Sequence, residues 1–480
     1  MAVLVAEVDR AWGLHAHWDE LIGGTEGIDV EAGPASLRIA PLPLFAIHDG
    51  ALRQAVRIHA GGMGAVAPLT LSIERDGTEL DRGVIVSSGD AVSLLLLVPE
   101  VTAETPHVVR ISGAGEDIEV PVLVPPQRKW TVDLIHHSHL DIGYTDPQAV
   151  VLDQQVAYLD AVLDLIDESD GWPEDARFRW NVETTWLLQH WLARRPREER
   201  ERLFARVREE RIEINALPFT MHTEAFSMDE LARQLDFAVE LRERHDVEIV
   251  SAMQTDVPGA TLGLATLLTD AGIENLSVAH NFTGRSVPYL LDGQHLRRPF
   301  WWEAPSGKRL LVWYTDTAMG SAYMEGNLVG LASGYPGALA VLPEYLAALA
   351  ARPYPYGTRF GWTGPNPALT MTRVPDALDV LHLRVQGSYA DNAPPSLTPA
   401  TIVREWNAAW AYPRLRMATN REFFDRARQR AGDEIAVERG DWTDWWADGI
   451  GSAAIELGVN RRAQATIQTA QTLHALADIH

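Results

Sequence analysis

The run V-D-L-I-H-H-S-H-L-D-I-G-Y at Val132–Tyr144 constrains this chain more than any other stretch. It begins as a short apolar strand and then places three imidazoles and a carboxylate within six residues. Side chains two residues apart at a strand end point the same way, so an imidazole and a carboxylate at that spacing can reach one ion. Many α/β hydrolytic enzymes hold a divalent metal with such a cluster, and a polar loop with ordinary surface histidines is the alternative. The cluster consists of His136, His137, His139 and Asp141.

Length and charge narrow the class of protein. A chain of 480 residues is too long for one ordinary core, so we expect two or three domains. The net charge of -25 argues against nucleic acid and anionic membranes as partners, because both would repel the chain. The N-terminal segment lacks the pattern of a secretory signal, and no apolar run is long enough to cross a bilayer, so we expect a cytoplasmic enzyme.

The absence of cysteine limits the chemistry of any metal site. Without Cys, the chain has neither disulfides nor thiolate chemistry, and a metal must be bound by nitrogen and oxygen ligands. The presence of histidine favours zinc over calcium, so we expect one divalent metal, zinc, per chain.

The sequence pattern divides the chain into three parts. Residues 1–127 carry short alternating runs such as L-T-L-S-I-E-R and I-E-V-P-V-L-V between turn signals, which predicts a β-sandwich accessory domain. Strands alternate with helices over 128–330, which predicts a metal-dependent α/β catalytic domain with a mostly parallel sheet or a barrel. Residues 331–480 look mainly helical and predict a helical bundle that completes the active site.

Polar side chains follow every predicted strand of the α/β part. Because working groups lie at the C-terminal ends of strands in parallel sheets and barrels, we expect these side chains to meet at one edge. Their convergence is the strongest indication from the residues alone that the chain is an enzyme. Besides the first cluster, they are Asn181, Glu183, Pro218–Glu224, Gln254–Asp256, His280, Asn281 and Asp316.

Two irregular polar segments, 387–395 and 440–452, interrupt the helical region. The second, G-D-W-T-D-W-W-A-D-G-I-G-S, is dense in tryptophan and aspartate. Aromatic rings can stack on the apolar face of a sugar while carboxylates bind its hydroxyl groups, and a buried tryptophan cluster with capping aspartates is the alternative. The candidate substrate-binding residues are Asp391, Asn392, Trp442, Asp444, Trp445 and Trp446.

Four segments, in order, resemble the glycoside hydrolase family 38 α-mannosidases. H-S-H-L-D-I-G-Y resembles the family's H-S-H-x-D-x-G-W opening, and E-I-N-A-L-P-F-T-M-H-T-E-A at 213–225 matches the segment that carries its nucleophile. Q-T-D-V-P-G-A at 254–260 is similar to its D-x-F-G-H turn, and G-D-W-T-D-W-W at 440–446 is similar to its G-D-F-F-x-Y segment. The resemblance covers about 130–480 and implies a seven-stranded α/β barrel followed by a helical bundle, a zinc ion that binds sugar hydroxyls, and a retaining glycosidase mechanism.

The resemblance places the first two metal ligands on His139 and Asp141. The family's last metal histidine falls near Asn460–Arg461, where this chain has no histidine. Zinc normally takes about four ligands, so other residues must complete the set. The candidates are His222 and His280, which we prefer, and then Asp256, Asp444 and Asp448.

The nucleophilic aspartate of the family, which also touches the metal, falls on Thr223 in this chain. A retaining mechanism needs two carboxyl groups about 5 Å apart, so another carboxylate must replace it. Asp256 is our first choice for the catalytic carboxylate, followed by Glu224 and Asp316. Asp391 and Glu325 are further acidic candidates.

We therefore predict a metal-dependent hydrolase of the α-mannosidase type that acts on a small carbohydrate or glycoside, with a homo-oligomer left open. Two alternatives remain at this point. The H-x-H motif at His137 and His139 is also the first ligand pair of amidohydrolase and phosphoesterase metal sites. His222, His280 and Asp316 could supply the later ligands of such a site. A degenerate glycosidase that binds sugar without turnover is the second alternative, and the missing nucleophile favours it.

Overall fold

The computed structural model describes residues 3–6, 27–33, 35–61, 68–86, 92–113, 115, 117–257, 259–279, 299–315, 322–351, 378–442 and 446–479. These ranges contain both β-sheets and helices, so the predicted mixed α/β class is confirmed. Within these ranges, no helix combines the length and the apolar character that crossing a bilayer would require.

Two antiparallel sheets account for the described strands up to Val124. In β9 (Ile118–Val124), residues alternate between a buried and an exposed face, because successive side chains of a strand point to opposite sides. The first sheet contains, in spatial order, β1 (Val3–Ala6), β7 (Val92–Pro99), β4 (Ala51–Gly61), β3 (Ala35–His48) and β2 (Ile28–Ala32). The second contains β6 (Thr78–Ile85), β5 (Leu69–Arg75), β8 (Thr105–Ser112) and β9 (Ile118–Val124).

The apolar run of β7 is buried on both of its faces. Leu94 and Leu96 lie in the core between the two antiparallel sheets. Leu95 and Leu97 point the other way and join a second core around Trp130. A strand buried on both faces needs a continuous apolar run rather than an alternating one, which explains the sequence L-L-L-L-V.

Parallel strands form the framework of the part that follows. Neighbouring strands in it are parallel except for one antiparallel pair, β15 with β16. A closed seven-stranded barrel stays a prediction, because the described strands fall into three separate hydrogen-bonded groups. The groups, in spatial order, are β17 (Val380–Val385), β10 (Thr131–His136) and β18 (Arg414–Ala418); β11 (Trp180–Val182) and β12 (Ile212–Ile214); and β13 (Ser251–Thr255), β14 (Asn275–Ala279), β16 (Arg309–Thr315), β15 (Phe300–Glu303) and β19 (Ala436–Glu438).

Helices connect these strands and pack against them. Two of the helices start with a capping box, Ser227 with Glu230 and Thr419 with Glu422, which satisfies N–H groups of the first turn. The described helices are α1 (Gln148–Glu168), α2 (Thr185–Arg194), α3 (Arg197–Arg208), α4 (Met228–Arg233), α5 (Asp236–His245), α6 (Leu262–Asp270), α7 (Glu325–Leu328), α8 (Gly334–Ala351), α9 (Thr398–Ala409), α10 (Asn420–Ala431), α11 (Ala447–Ile450) and α12 (Ala454–Ile479).

The prediction of a helical bundle after residue 330 needs correction. Two strands from this region, β17 and β18, pair with β10 on its two sides and therefore belong to the framework of the site. Their sequences V-L-H-L-R-V and R-L-R-M-A carry charged or imidazole groups within the strand, which hides the pattern of a buried strand. The division into domains at residues 127 and 330 stays a prediction.

Candidate metal centre

Three side chains from two strand ends converge on one point. His139 and Asp141 follow β10, and Asp256 follows β13. The Nε2 atom of His139 lies 3.1 Å from an Asp141 carboxylate oxygen and 3.8 Å from an Asp256 carboxylate oxygen. One ligand atom from each residue lies within 4.8 Å of the other two, and no other group of this kind occurs in the described part of the chain. We call these three residues the metal group.

A left-handed backbone conformation turns Asp256 out of its strand. The φ angle of Asp256 is 60°, a region that aspartate tolerates better than most residues because its short side chain can bond locally. The Asp256 N–H donates to Ala279 O at 2.8 Å and holds the turn against β14. The first-choice catalytic carboxylate of the sequence analysis is therefore part of the metal group.

A buried glutamate orients the histidines of the first cluster. Glu183 follows β11, and its Oε1 accepts a hydrogen bond from His139 Nδ1 at 2.9 Å. Its other oxygen, Oε2, lies 2.8 Å from His137 Nδ1. Because His139 donates through Nδ1, its Nε2 is the ring atom that faces the two aspartates and can bind a metal, as in metal-bound histidines that are held by a carboxylate.

The electrostatics of the metal group favour a cation. Burial lowers the pKa of His139, but the Glu183 and Asp141 carboxylates outweigh burial and raise that pKa well above its usual value. Burial raises the pKa of Glu183, and the two histidines outweigh it and lower that pKa. The site thus stabilises positive charge at Nε2 of His139, whether as a proton or as a metal ion.

The residues fit zinc. His139 Nε2 is buried and makes no hydrogen bond within the described structure, although two carboxylates lie near it. Its distances from them, 3.1 and 3.8 Å, bracket the separation of about 3.3 Å expected between ligands of a tetrahedral zinc ion. One imidazole and two carboxylates leave a fourth position for water or substrate, which is typical of catalytic zinc.

Asn392 fixes the loop that carries His139 and Asp141. Its Oδ1 accepts from Asp141 N at 2.9 Å, and its Nδ2 donates to Asp141 O at 2.9 Å. Gln155 of α1 donates to both Asn392 Oδ1 and His139 O at 3.1 Å. The amide of Asn392, expected to bind substrate, is thus engaged with the backbone of a metal-group residue.

A tyrosine–aspartate pair adjoins the metal group. The Tyr323 ring lies 4.6 Å from the His139 ring, centroid to centroid, and its hydroxyl donates to Asp391 Oδ1. Burial, together with the Asp391, Asp256 and Asp141 carboxylates, raises the pKa of Tyr323 far above its usual value. The phenol therefore stays protonated at neutral pH and keeps a proton beside the metal group.

The segment that matches the family's nucleophile places its residues elsewhere. His222 contributes no atom to the metal group, and its ring lies 5.9 Å from that of Trp446. Thr223 is buried, and its hydroxyl accepts from Thr261 N at 2.8 Å. Glu224 lies in the following turn, where its backbone oxygen accepts from Arg461 at 2.8 Å.

Trp442 lies in the core, as the alternative of a buried tryptophan cluster would have it. Its side chain is 2% exposed and packs against the rings of Phe300, Trp302 and Tyr314, because an isolated bridge to Ala260 draws it into the core. Trp446 is half-buried and keeps a face beside His222. Four further predicted residues lie outside the described part of the chain: His280, Asp316, Asp444 and Trp445.

The sequence pattern assigns no supporting role to the residues that hold the metal group in place. Glu183 was noted only as a polar residue at a strand end, and its position directly after W-N-V is the signal that could have placed it. No sequence signal points to Gln155 or Tyr323. Tyr323 contacts His137 and Gln155 contacts Asn392, and both pairs are far apart in the chain.

Comparisons with known proteins give a family match over part of the chain. Residues 129–329 match the glycosyl hydrolases family 38 N-terminal domain. No curated protein matches the sequence. Similar solved structures include an alpha-mannosidase from Enterococcus faecalis V583, which is 16% identical with a TM-score of 0.49 over 66% of this chain and 31% of that chain. A protein in the glycosyl hydrolase family 38 from Enterococcus faecalis is 15% identical with a TM-score of 0.42 over 65% of this chain and 29% of that one.

A more distant similarity is to the 4-alpha-glucanotransferase from Thermococcus litoralis, 14% identical with a TM-score of 0.39 over 66% of this chain and 43% of that chain. These structural similarities are too remote to assign an activity. This chain spans less than a third of the length of the two Enterococcus faecalis proteins.

Proposed function

We propose that this protein is a zinc-dependent glycosidase acting on a small carbohydrate, because residues 129–329 match the glycosyl hydrolases family 38 N-terminal domain. The convergence of His139, Asp141 and Asp256 at one point carries the proposal. An imidazole with two carboxylates suits zinc, and three protein ligands leave a position for substrate. The four segments that resemble the α-mannosidases support an α-mannoside as the substrate class.

The residues around the metal group prepare the site for this reaction. Zinc, when bound, would act as a Lewis acid towards sugar hydroxyl groups. Glu183 keeps His139 Nε2 aimed at the ion position, and Asn392 holds the backbone of Asp141. Tyr323 donates a hydrogen bond to Asp391 and so holds this carboxylate next to the metal group.

We infer that Asp256 takes over the role of the family's nucleophilic aspartate. In the family, that carboxylate also touches the metal, and the matching position here is Thr223. The Thr223 hydroxyl is buried and accepts from Thr261 N, so it is unsuited to attack. Asp256 brings a carboxylate to the metal group from β13 instead. Thr223→Ala should therefore keep activity within a few fold, whereas Asp256→Ala should lose at least about 100-fold in kcat/KM.

The amidohydrolase and phosphoesterase alternative receives less support. It depends on His222, which contributes no atom to the metal group, and on His280 and Asp316, which lie outside the described residues. The match over 129–329 also favours a glycoside hydrolase. A protein that binds sugar without turnover is the outcome to exclude by experiment.

The test combines metal analysis with a screen of aryl glycosides. We expect about one zinc per chain and glycoside cleavage that a chelator abolishes and added zinc restores. His139→Ala should remove the bound metal, whereas His48→Ala, at a partly exposed histidine of β3, should not. Full metal in His139→Ala would overturn the site. Metal without glycoside cleavage would indicate a binding protein, and cleavage of amides or phosphate esters instead would support the alternative.

A further inference from the structure

The last helix, α12, turns a polar face to the protein. Its anchoring side chains are spaced three and four residues apart, so they lie on one face of the helix. Gln464 is the one buried residue among the described positions of this helix, and all positions from 465 to 479 are exposed. The anchors are Arg461 to Glu224 O at 2.8 Å, Gln464 to Glu230, and Gln468 to Asp229 at 2.9 Å.

The opposite face of α12 is largely apolar and exposed. At 3.6 residues per turn, seven apolar residues fall within an arc of about 120°, centred about 150° from the anchors, and three polar residues, Glu456, Thr466 and His474, lie in the same arc. An ordinary surface helix would bury such a stripe and expose its polar face. Contiguous exposed apolar side chains mark an interaction site. The stripe consists of Ile455, Val459, Ala463, Ile467, Ala470, Leu473 and Ala477, all exposed, with Ile455 at 79% and Leu473 at 62%.

The charge of α12 allows a second copy of this chain to pack on the stripe. The helix carries two acidic and two basic side chains, Glu456 and Asp478 with Arg461 and Arg462, and is therefore neutral. The net charge of -25 lies entirely on the rest of the chain. Two copies repel each other over most of their surface, but they can meet at a neutral helix without that cost.

We propose that the stripe of α12 is the interface of a homodimer in which the two helices pack antiparallel about a two-fold axis near Ala470. An isologous contact of this kind needs only one self-complementary patch. The antiparallel direction opposes the helix dipoles favourably and keeps the two acidic bodies at opposite ends.

The proposed axis pairs stripe residues with stripe residues. It places Ile467 of one copy opposite Leu473 of the other. It also brings Arg462 next to Asp478 across the interface. Alanines at every seventh position, 463, 470 and 477, allow the two backbones to approach closely.

Light scattering after size exclusion is the first test. At micromolar concentration we expect a particle of twice 53.1 kDa for the full chain. The double variant Ile467→Glu with Leu473→Glu should give the monomer mass, because it puts charge at the centre of the stripe. The matched double variant Thr472→Glu with Ala475→Glu, off the stripe on the same helix, should remain a dimer. A monomeric wild type, or a dimer in both variants, would overturn the proposal.

Single cysteines test the face and the direction, because the chain contains no Cys of its own. Ala470→Cys at the axis should form a covalent dimer on mild oxidation, whereas Ala475→Cys on the anchored side should not. Ala463→Cys separates the two directions. In the antiparallel dimer its two copies lie about 21 Å apart, too far for a disulfide, whereas parallel helices would cross-link there. Cross-linking of Ala463→Cys or Ala475→Cys at the rate of Ala470→Cys would overturn the arrangement.

Discussion

At the scale of single residues, Glu183 decides how the metal group is presented. Both of its oxygens contact histidine ring nitrogens, and the carboxylate is buried. A buried charge is tolerated when such partners surround it. The residue contributes no ligand atom itself, so its effect on a metal passes through the orientation of His139.

Replacing Glu183 with glutamine tests this role. Glu183→Gln keeps the shape but removes the negative charge that fixes the Nδ1–H of His139. We expect zinc affinity to fall about 10- to 100-fold, as for other partners behind metal ligands. Competition with a chromogenic chelator measures the change. Glu201→Gln, in an exposed pair with Arg197, is the control and should leave the affinity unchanged. Equal affinity in wild type and Glu183→Gln would exclude the role.

Glu213 on β12 predicts a pH dependence of stability. Burial raises the pKa of this carboxyl to about 7. Between the ordinary glutamate pKa of about 4.3 and pH 7, the folded protein therefore holds a proton that the unfolded chain releases. The contribution of Glu213 to stability is present below that window and is lost as pH rises through it.

The measurement compares wild type with Glu213→Gln. The free energy of unfolding of Glu213→Gln minus that of the wild type should rise by a few kcal/mol from pH 5 to pH 8. One pKa unit corresponds to about 1.4 kcal/mol. Denaturant titrations at several pH values give the difference. Glu198→Gln, at an exposed position of α3, should show no such trend. A constant difference across this range would contradict the raised pKa.

At the scale of elements, the segment after β19 is held by its tryptophan. Trp442 pairs with Ala260 in an isolated bridge and lies among the aromatic rings of β15 and β16. This packing connects the turn after β13 with strands β15 and β16. The aromatic density that suggested a sugar platform is therefore partly a core feature.

The two tryptophans of this segment should respond differently to truncation. Trp442→Ala removes a fully packed indole and should lower the free energy of unfolding by about 3–5 kcal/mol. Trp446→Ala removes a half-buried ring and should cost less than about 1 kcal/mol, while it tests the sugar contact. Chemical denaturation and kcat/KM measure both. A larger loss of stability in Trp446→Ala would contradict the assignment of Trp442 to the core.

At the scale of the whole molecule, the first N-terminal sheet shares a core with the parallel strands. Leu42 and Leu44 of β3 belong to the same buried cluster as Trp130 and the β17 side chains. Backbone hydrogen bonds also join Phe45 with Ala411 and Tyr412. A shared core means that neither part can lose its packing alone, so we expect the two parts to unfold together.

Leu44→Ala tests this coupling. It should lower the free energy of unfolding by about 2–5 kcal/mol, because it opens a cavity in the shared core. Of the 16 tryptophans, all but Trp12 and Trp18 lie after residue 129, so fluorescence reports mainly on the second part, whereas far-ultraviolet circular dichroism also reports on the N-terminal strands. The two transitions should shift together. Leu123→Ala, at an exposed position of β9, is the control. Separate transitions in Leu44→Ala would show that the two parts unfold independently.

The sequence by itself determined which residues could carry chemistry and the mixed α/β class. The strand V-D-L-I and the spacing of His139 and Asp141 are local features, since neighbouring residues alone decide them. The family-like segments are also local, and residues 129–329 match the family they suggested.

Only the tertiary structure decided which of these residues meet. Asp256 joins His139 and Asp141 because β13 ends near the loop after β10, and Trp442 leaves the surface because Ala260 binds its backbone. The strands β17 and β18 form because β10 offers hydrogen-bonding partners on both sides, which outweighs their weak local pattern. Contacts of this kind depend on packing between residues hundreds of positions apart, and no spacing in one stretch of sequence encodes them.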